Sequence, residues 1–193
     1  HNHSIVPILF GSSTEGIGIQ ELLDFISSNL PSPKENPPII AENAVSGNEI
    51  QLDYDSEGDF SAIVFKTTAD PFVGKLSYFK VLNGTLSSDT EVWNVSKETS
   101  EKIAQPFTIR GKDQEPIDSV VAGDIGAVSK LNTVLTNDYL ATENNPITLP
   151  PIRFPQPIYQ MAVSPKSRAD VDKMTSPLSR IGCGDQRLSV GLS

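Results

Sequence analysis

The stretch that decides the fold is FSAIVFKTTADPFVGKLSYFKVLNGTL, residues 60–86. Residues 61–65 (SAIVF) are rich in the β-branched and aromatic side chains that favour strands. Residues 76–81 (LSYFKV) alternate between two kinds of side chain and run into the dipeptide Asn83-Gly84. A period of two that ends at Asn-Gly is typical of a strand in an antiparallel hairpin. The stretch therefore predicts antiparallel β structure at the centre of the chain.

The pattern of short strands and turns continues to about residue 145. Further strands are predicted at residues 91–95, 102–109 and 126–131, with Gly, Asn and Asp between them. No helical period of useful length occurs in this region. We expect a mainly β fold in which residues 39–148 form a closed antiparallel barrel, because so many strands would otherwise leave reactive edges.

The residues before the barrel have a different pattern. Residues 5–10 form an apolar run of strand length, and a loop follows. Apolar residues at helical spacing then occupy residues 19–30, up to the prolines at 31 and 33. Strand, loop and helix make one unit of an α/β fold, which is too small to bury a core of its own. We assign this unit to residues 1–38 and expect the rest of its domain to lie upstream.

Two segments have the composition of linkers. Residues 32–59 are rich in proline, asparagine and acidic residues, and residues 146–157 hold five prolines. After the second segment a strand is predicted at residues 158–163, a helix at 171–181 and a strand from residue 187. Residues 149–193 therefore predict a linker and a partial α/β domain, and both ends of the chain look cut.

Charge is unevenly distributed along the chain. The formal net charge is −9, but the first 59 residues hold ten of the 24 acidic residues and one of the 15 basic ones. The remaining residues are neutral overall, so a local basic face is compatible with the sequence. Hydrophobic residues make up 37% and charged residues 20%, which excludes the disordered class.

No metal or thiol chemistry is predicted. The acidic stretch at residues 53–59 imitates the start of a calcium loop, but its twelfth position is Val64 instead of a bidentate Glu. Cys183 is the single cysteine and has no partner. No transmembrane stretch or signal peptide is visible, so we expect a cytoplasmic protein that contacts neither membrane nor DNA.

Four segments, in order, resemble elongation factor G and its relatives. Residues 65–76 resemble the first hairpin of that family's second domain, and residues 83–86 its following turn. Residues 122–128 (AGDIGAV) match a strand entry of the same domain, and residues 156–170 resemble the start of the third domain. The resemblance implies the end of a GTPase domain, a translation-factor β-barrel (domain II) and part of a ferredoxin-like domain III.

The resemblance also assigns a role to the loop after residues 5–10. Residues 7–14 are similar to the last guanine-recognition motif of translational GTPases, with Ser12, Ser13 and Thr14 as the base loop. Ser13 stands where alanine is usual in the family, and Thr14 where a larger residue is usual. No phosphate loop of the type G-x-x-x-x-G-K-[ST] occurs, so we predict no catalysis and no cofactor for this chain, with GTP and Mg²⁺ held by the parent protein.

The resemblance implies a ribosome-docking module of a GTPase that acts in translocation or ribosome recycling during protein synthesis. The partners would be small-subunit ribosomal RNA and the remaining domains of the parent. Five basic residues on hairpins or loops are candidate RNA contacts: Lys66, Lys75, Lys80, Arg110 and Lys112. The alternatives are a fragment of an elongation factor G paralogue or of a ribosomal protection protein, and a β-barrel adaptor that binds a protein through its acidic first third.

Overall fold

The structure is a computed structural model of the chain. It describes residues 5–70, 74–111, 113–131, 133–156, 158–159 and 161–165, and the single positions 167, 170, 174, 177, 178 and 182. The chain divides into two compact units, His1–Asn36 and Pro37–Ser193. Within the described residues, no helix has the length and apolar character needed to cross a membrane.

The first unit is built on one helix. Helix α1 runs from Ile19 to Asn29, which confirms the helix predicted from the spacing of apolar residues. Gly18 precedes it with a positive φ of 76°, and a short 3-10 helix follows at Pro33–Glu35. None of the residues of α1 is buried. Its apolar stripe therefore lacks the tertiary packing that usually stabilises an amphipathic helix.

The strand predicted at residues 5–10 is wrong. These residues are exposed and unpaired, and the described part of the unit contains only an isolated antiparallel bridge between Ser12 and Ile17. An apolar extended segment becomes a strand only when a neighbour accepts its backbone hydrogen bonds. No described residue of this unit supplies such a neighbour for residues 5–10.

The second unit is mainly β, as predicted. Its strands are β1 (Ile39–Asn43), β2 (Glu49–Leu52), β3 (Ser61–Asp70), β4 (Gly74–Asn83), β5 (Thr85–Ser87), β6 (Thr90–Asn94), β7 (Thr99–Ile103), β8 (Pro106–Arg110), β9 (Asp113–Pro116), β10 (Ser119–Val121), β11 (Ile125–Ser129), β12 (Tyr139–Ala141) and β13 (Ile147–Thr148). The strand bounds confirm the strands expected around residues 61–65, 76–81, 91–95 and 126–131.

Eight strands form one curled antiparallel sheet in the order β7-β6-β12-β3-β4-β11-β8-β9. The sheet is a half-barrel, since β7 and β9 are its end strands in the described residues. A two-stranded ribbon of β5 and β10 contributes Leu86 and Val120 to the core inside the curl. The core also takes buried residues from the central strands, including Val64, Phe79 and Leu140.

A smaller sheet lies on the other side of β3 and β4. Its strand order is β13-β1-β2, and its buried residues Ala41, Leu52 and Ile147 pack with Leu82 of β4 and Ile63 of β3. The interpretation of residues 32–59 as a linker is therefore wrong for β1 and β2. The prolines before β1 and the acidic residues in and around both strands obscured the short apolar segments that let these strands cover one end of the hairpin.

The single strand predicted at residues 102–109 is also wrong. β7 ends at Ile103 and β8 begins at Pro106. β7 pairs with β6, whereas β8 pairs with β11 and β9. The chain thus changes partners across two residues, and the Gln105 side-chain amide donates to the Ile117 carbonyl at 2.7 Å. Residues 158, 159 and 161–163 of another predicted strand are not in a strand.

Only part of the predicted third-domain segment lies in the described residues. Positions 174, 177 and 178 are helical, in agreement with the predicted helix, while residues 187–190 lie outside the described residues. The proline-rich connector is held to the barrel at its start. Tyr139 donates its hydroxyl to the Leu149 carbonyl at 3.0 Å, and Asn137 binds both the N–H and the C=O of Ile152 at 3.1 Å. Burial raises the pKa of Tyr139.

The Asn83-Gly84 turn is enclosed by residues 55–60. Gly84 donates its N–H to the Asp55 carbonyl at 2.7 Å, and the Asn83 side chain accepts from the Asp55 N–H at 3.0 Å. Gly84 has φ of 72°, and a Cβ there would lie 2.6 Å from the Gly58 carbonyl oxygen and from the Cα of Phe60. Only glycine satisfies both the backbone angle and the close approach.

Gly84→Ala is therefore expected to destabilise the barrel more than Gly47→Ala. The two glycines have nearly the same φ, 72° and 70°, but a Cβ at Gly47 meets only one atom, at 3.8 Å. The strain of a positive φ is common to both variants, so the difference isolates the steric overlap, for which we expect about 1–3 kcal/mol. Urea unfolding of the two variants measures it, and equal midpoints would contradict the enclosure of this turn.

Candidate nucleic-acid interface

The β3–β4 hairpin has two faces with different side chains. Strand alternation turns Val64 and Phe79 into the core and leaves Tyr78 and Lys80 on the outer side. The register shifts between Val64 and Lys66. Such a bulge sets two residues of one strand against one of its partner, so Phe65 and Lys66 both lie beside Tyr78.

Two ammonium groups on this outer side lie over tyrosine rings. The Nζ of Lys66 is 5.6 Å from the ring centroid of Tyr78, and the Nζ of Lys80 is 5.3 Å from that of Tyr54. Phe65 adds a third ring, whose centroid is 6.4 Å from that of Tyr78. Such cation–π contacts hold an ammonium group by about 0.5–1 kcal/mol at exposed sites.

These contacts leave the positive charge of both lysines uncompensated. Within the described residues neither Lys66 nor Lys80 forms an ion pair, and the ion pairs that occur join Lys102 to Asp89 and Arg110 to Glu115. A tyrosine ring carries no net charge, so these contacts do not neutralise the two ammonium groups. We call Phe65, Lys66, Tyr78 and Lys80 the hairpin face.

The structure separates the five predicted RNA contacts. Lys66 and Lys80 share the hairpin face. Lys75 is three residues from Tyr78 on the regular part of β4, so alternation places it on the opposite face. Phe107 of β8 lies on the same face as Tyr78, because both pair with the same residue of β11. Arg110 is three residues further along β8 and therefore lies on the opposite face. Lys112 lies outside the described residues.

Sequence reasoning missed the aromatic part of this surface. The sequence pattern places Tyr78 in a strand and Tyr54 in an acidic turn, whereas the fold brings each under a lysine. The signal for Tyr78 was present, since residues i and i+2 of a strand share a face, and Lys80 follows at i+2. Nothing local pointed to Tyr54, which has φ of 55° and reaches Lys80 only through tertiary structure.

The predicted base loop is a tight turn in the first unit. Ser12 accepts from the Ile17 N–H at 3.1 Å and donates its own N–H to the Ile17 carbonyl at 2.9 Å, which closes the loop. The Ser12 hydroxyl lies 3.2 Å from that of Thr14 and accepts from the Glu15 N–H at 3.4 Å. Ser13 and Thr14 are exposed.

The glycines that flank this loop let its two ends approach. A Cβ at Gly18 would lie 2.4 Å from the Phe10 carbonyl oxygen. The geometry thus offers small polar side chains on a closed turn before α1. Among the residues that the structure describes, no cluster of His, Cys, Asp or Glu is arranged to hold a metal ion.

Comparison with known proteins bears on the barrel. Residues 59–143 match the family model described as Elongation factor G domain 2. The chain is also similar to a crystal structure of a protein from Thermus thermophilus, with 23% sequence identity and a TM-score of 0.72 over 92% of this chain. That likeness shows the fold. The chain spans about a quarter of the length of that protein, as 24% of it is covered.

The matched segment includes β3 to β12 and therefore the hairpin face. For residues 59–143 the match agrees with the resemblance to the second domain of elongation factor G that the sequence indicated.

The 193-residue chain is expected to bind GTP no more tightly than about millimolar, because a base loop alone leaves the triphosphate unheld. Isothermal titration calorimetry with GTP and Mg²⁺ tests this. Guanosine alone is the matched control ligand, since it keeps the base and removes the phosphates. Micromolar affinity for GTP would contradict the expectation and would require a phosphate site elsewhere in the chain.

Proposed function

We propose, from the premise that residues 59–143 form an elongation factor G domain 2, that this chain is a ribosome-docking module of a larger translational GTPase. The match of the family model carries the proposal. The parent would act in translocation or in ribosome recycling, in the cytoplasm. It would hold GTP and Mg²⁺ in domains outside these 193 residues.

The surface chemistry of the barrel supports docking on RNA. The hairpin from residue 61 to residue 83 holds three lysines and one acidic residue, although the whole chain has a net charge of −9. Contacts to phosphates position a protein on nucleic acid without reading its sequence. That is the kind of contact that a structural module on ribosomal RNA needs.

The first unit supports the connection to a GTPase domain. Its closed loop leads into an amphipathic helix whose apolar residues, among them Leu23 and Ile26, are exposed. An apolar stripe of this kind normally packs against a partner element. The remainder of a GTPase domain in the parent protein would supply that partner.

Ribosome binding by the 193-residue chain tests the proposal. We expect the chain to pellet with purified ribosomes at about 50 mM salt and to bind at least roughly tenfold more weakly at about 200 mM, because phosphate contacts release counterions. The chain centrifuged without ribosomes is the control.

Two results would contradict docking on RNA. Absence of binding at low salt would overturn the proposal directly. Binding that does not change across the salt series would also contradict it and would indicate apolar contacts, which do not depend on counterion release.

A further inference from the structure

Asn83-Gly84 is the single Asn-Gly pair in the sequence. An asparagine that precedes glycine loses its side-chain amide more readily than other asparagines, because glycine has no Cβ to hinder attack by its backbone nitrogen. In this fold the pair joins β4 to β5, where Gly84 is buried and Asn83 is half-buried. The sequence most prone to deamidation therefore lies in the turn that ends the central hairpin.

The groups that take part in deamidation are all bound by residues 55–60, which we call the cover segment. The Gly84 N–H donates to the Asp55 carbonyl at 2.7 Å. The Oδ1 of Asn83 accepts from the Asp55 N–H at 3.0 Å, and its Nδ2 donates to the Asp59 carbonyl at 3.1 Å. One short segment thus fixes the attacking nitrogen, the carbonyl that it attacks and the leaving amide.

We propose that Asn83 is a deamidation site that the folded barrel keeps closed and that reacts when the cover segment opens. The reaction needs only water, so it is independent of the proposed docking function and of any partner. It converts a side-chain amide into a carboxylate, and it therefore changes the turn irreversibly.

The bond changes pass through a cyclic imide. In the open state the Gly84 N–H loses its proton to solvent, and the nitrogen forms a bond to Cγ of Asn83. The bond from Cγ to Nδ2 then breaks, and Nδ2 takes up a proton and leaves as ammonia. Water opens the imide at either of its carbonyls, which gives aspartate or isoaspartate at position 83. The net change is uptake of water and release of ammonia.

The closed fold opposes these steps. The Asp55 carbonyl accepts from the Gly84 N–H, and a hydrogen bond to the neutral form of a group disfavours loss of its proton. The Asn83 amide cannot turn its Cγ toward the Gly84 nitrogen without breaking both of its own hydrogen bonds. The rate of deamidation in the folded chain is therefore set by how often the cover segment opens.

The product does not fit the closed turn. Nδ2 of Asn83 donates to the Asp59 carbonyl, whereas a carboxylate at position 83 can only accept hydrogen bonds. Two oxygens without a hydrogen between them would then face each other. The cover segment also carries the carboxylates of Asp55, Glu57 and Asp59, which repel a further negative charge. Deamidation therefore favours the open state of the cover segment.

An internal reference measures the protection within one molecule. Ser46→Asn places a second asparagine before a glycine, in the exposed turn between β1 and β2. Gly47 there has φ of 70°, against 72° for Gly84, and its N–H also donates to a carbonyl, that of Asn43, at 2.9 Å. The two pairs thus differ mainly in the enclosure of the asparagine side chain. Peptide mass spectrometry follows both positions during incubation at neutral pH.

We expect position 46 of the folded variant to deamidate at least roughly tenfold faster than Asn83, because the closed turn must open before Asn83 can react. In urea, which exposes both pairs, the two rates should become similar, and position 83 should yield both aspartate and isoaspartate. Equal rates in the folded chain would overturn the protection. Failure of Asn83 to react in urea would overturn the assignment of the site.

Gly58→Ala tests the cover segment while the Asn83-Gly84 pair stays unchanged. A Cβ at Gly58 would lie 2.2 Å from Nδ2 of Asn83, so the amide must leave its hydrogen bonds. Gly58 is not at a positive φ, so alanine adds no backbone strain of that kind. We expect deamidation of Asn83 in this folded variant to approach the rate of an exposed Asn-Gly pair.

Thr85→Val is a second variant with the same expected direction. It removes the hydrogen bond of 2.8 Å from the Thr85 hydroxyl to the Ser56 carbonyl, which ties the cover segment to the hairpin. Circular dichroism shows whether each variant is folded at the temperature of incubation, and Thr85→Val serves as the test if Gly58→Ala does not fold. Wild-type rates of deamidation at Asn83 in the folded variants would overturn the control of the reaction by the cover segment.

Asn83→Asp imitates one of the two products. We expect a lower melting temperature and faster amide hydrogen exchange at Gly84, because the carboxylate cannot make the closing hydrogen bond to the Asp59 carbonyl. Asn48→Asp adds the same charge at an exposed position of the β1–β2 turn and is the matched control. Equal melting temperatures and equal exchange at Gly84 in the two variants would overturn the conclusion that deamidation opens the cover segment.

Discussion

The pairing of β3 with β4 is the constraint on which the rest of the second unit depends. These two strands lie at the centre of the eight-stranded sheet, and their register assigns each side chain to one of two faces. Because the side-chain period of a strand is two, a slip of one residue would exchange the faces completely. The closed turn at Gly84 and the bulge before Lys66 hold that register, and so one face of the hairpin enters the core while the other carries Lys66 and Lys80.

The sequence predicted those elements whose signal is local. The alternation at residues 76–81 and the Asn83-Gly84 turn predicted β4, and apolar spacing predicted α1. The errors concern elements that depend on distant partners. β1 forms a strand because it pairs with β2 and β13, and residues 5–10 stay unpaired because no described residue of their unit offers such a neighbour. Residues 102–109 belong to two strands because β7 and β8 pair with different neighbours, and the amino-acid composition of the segment does not indicate those neighbours.

The candidate site shows the same division between local and distant information. Position in the hairpin is enough to suggest Lys66 and Lys80, but the distinction between them and Lys75 or Arg110 requires the register. Tyr54 precedes β3 by several residues and reaches Lys80 through the fold. A basic residue in a sequence is therefore a weak indicator of a nucleic-acid contact.

The most direct measurement is an electron cryomicroscopy map of the chain bound to small ribosomal subunits, because it shows which face of the hairpin is in contact. We predict density for RNA phosphates within ion-pair distance of Lys66 and Lys80, with the core face of the hairpin enclosed in the barrel. A bound chain whose hairpin face is turned to solvent, and whose RNA contacts are made by other residues such as Lys75 and Arg110, would contradict it.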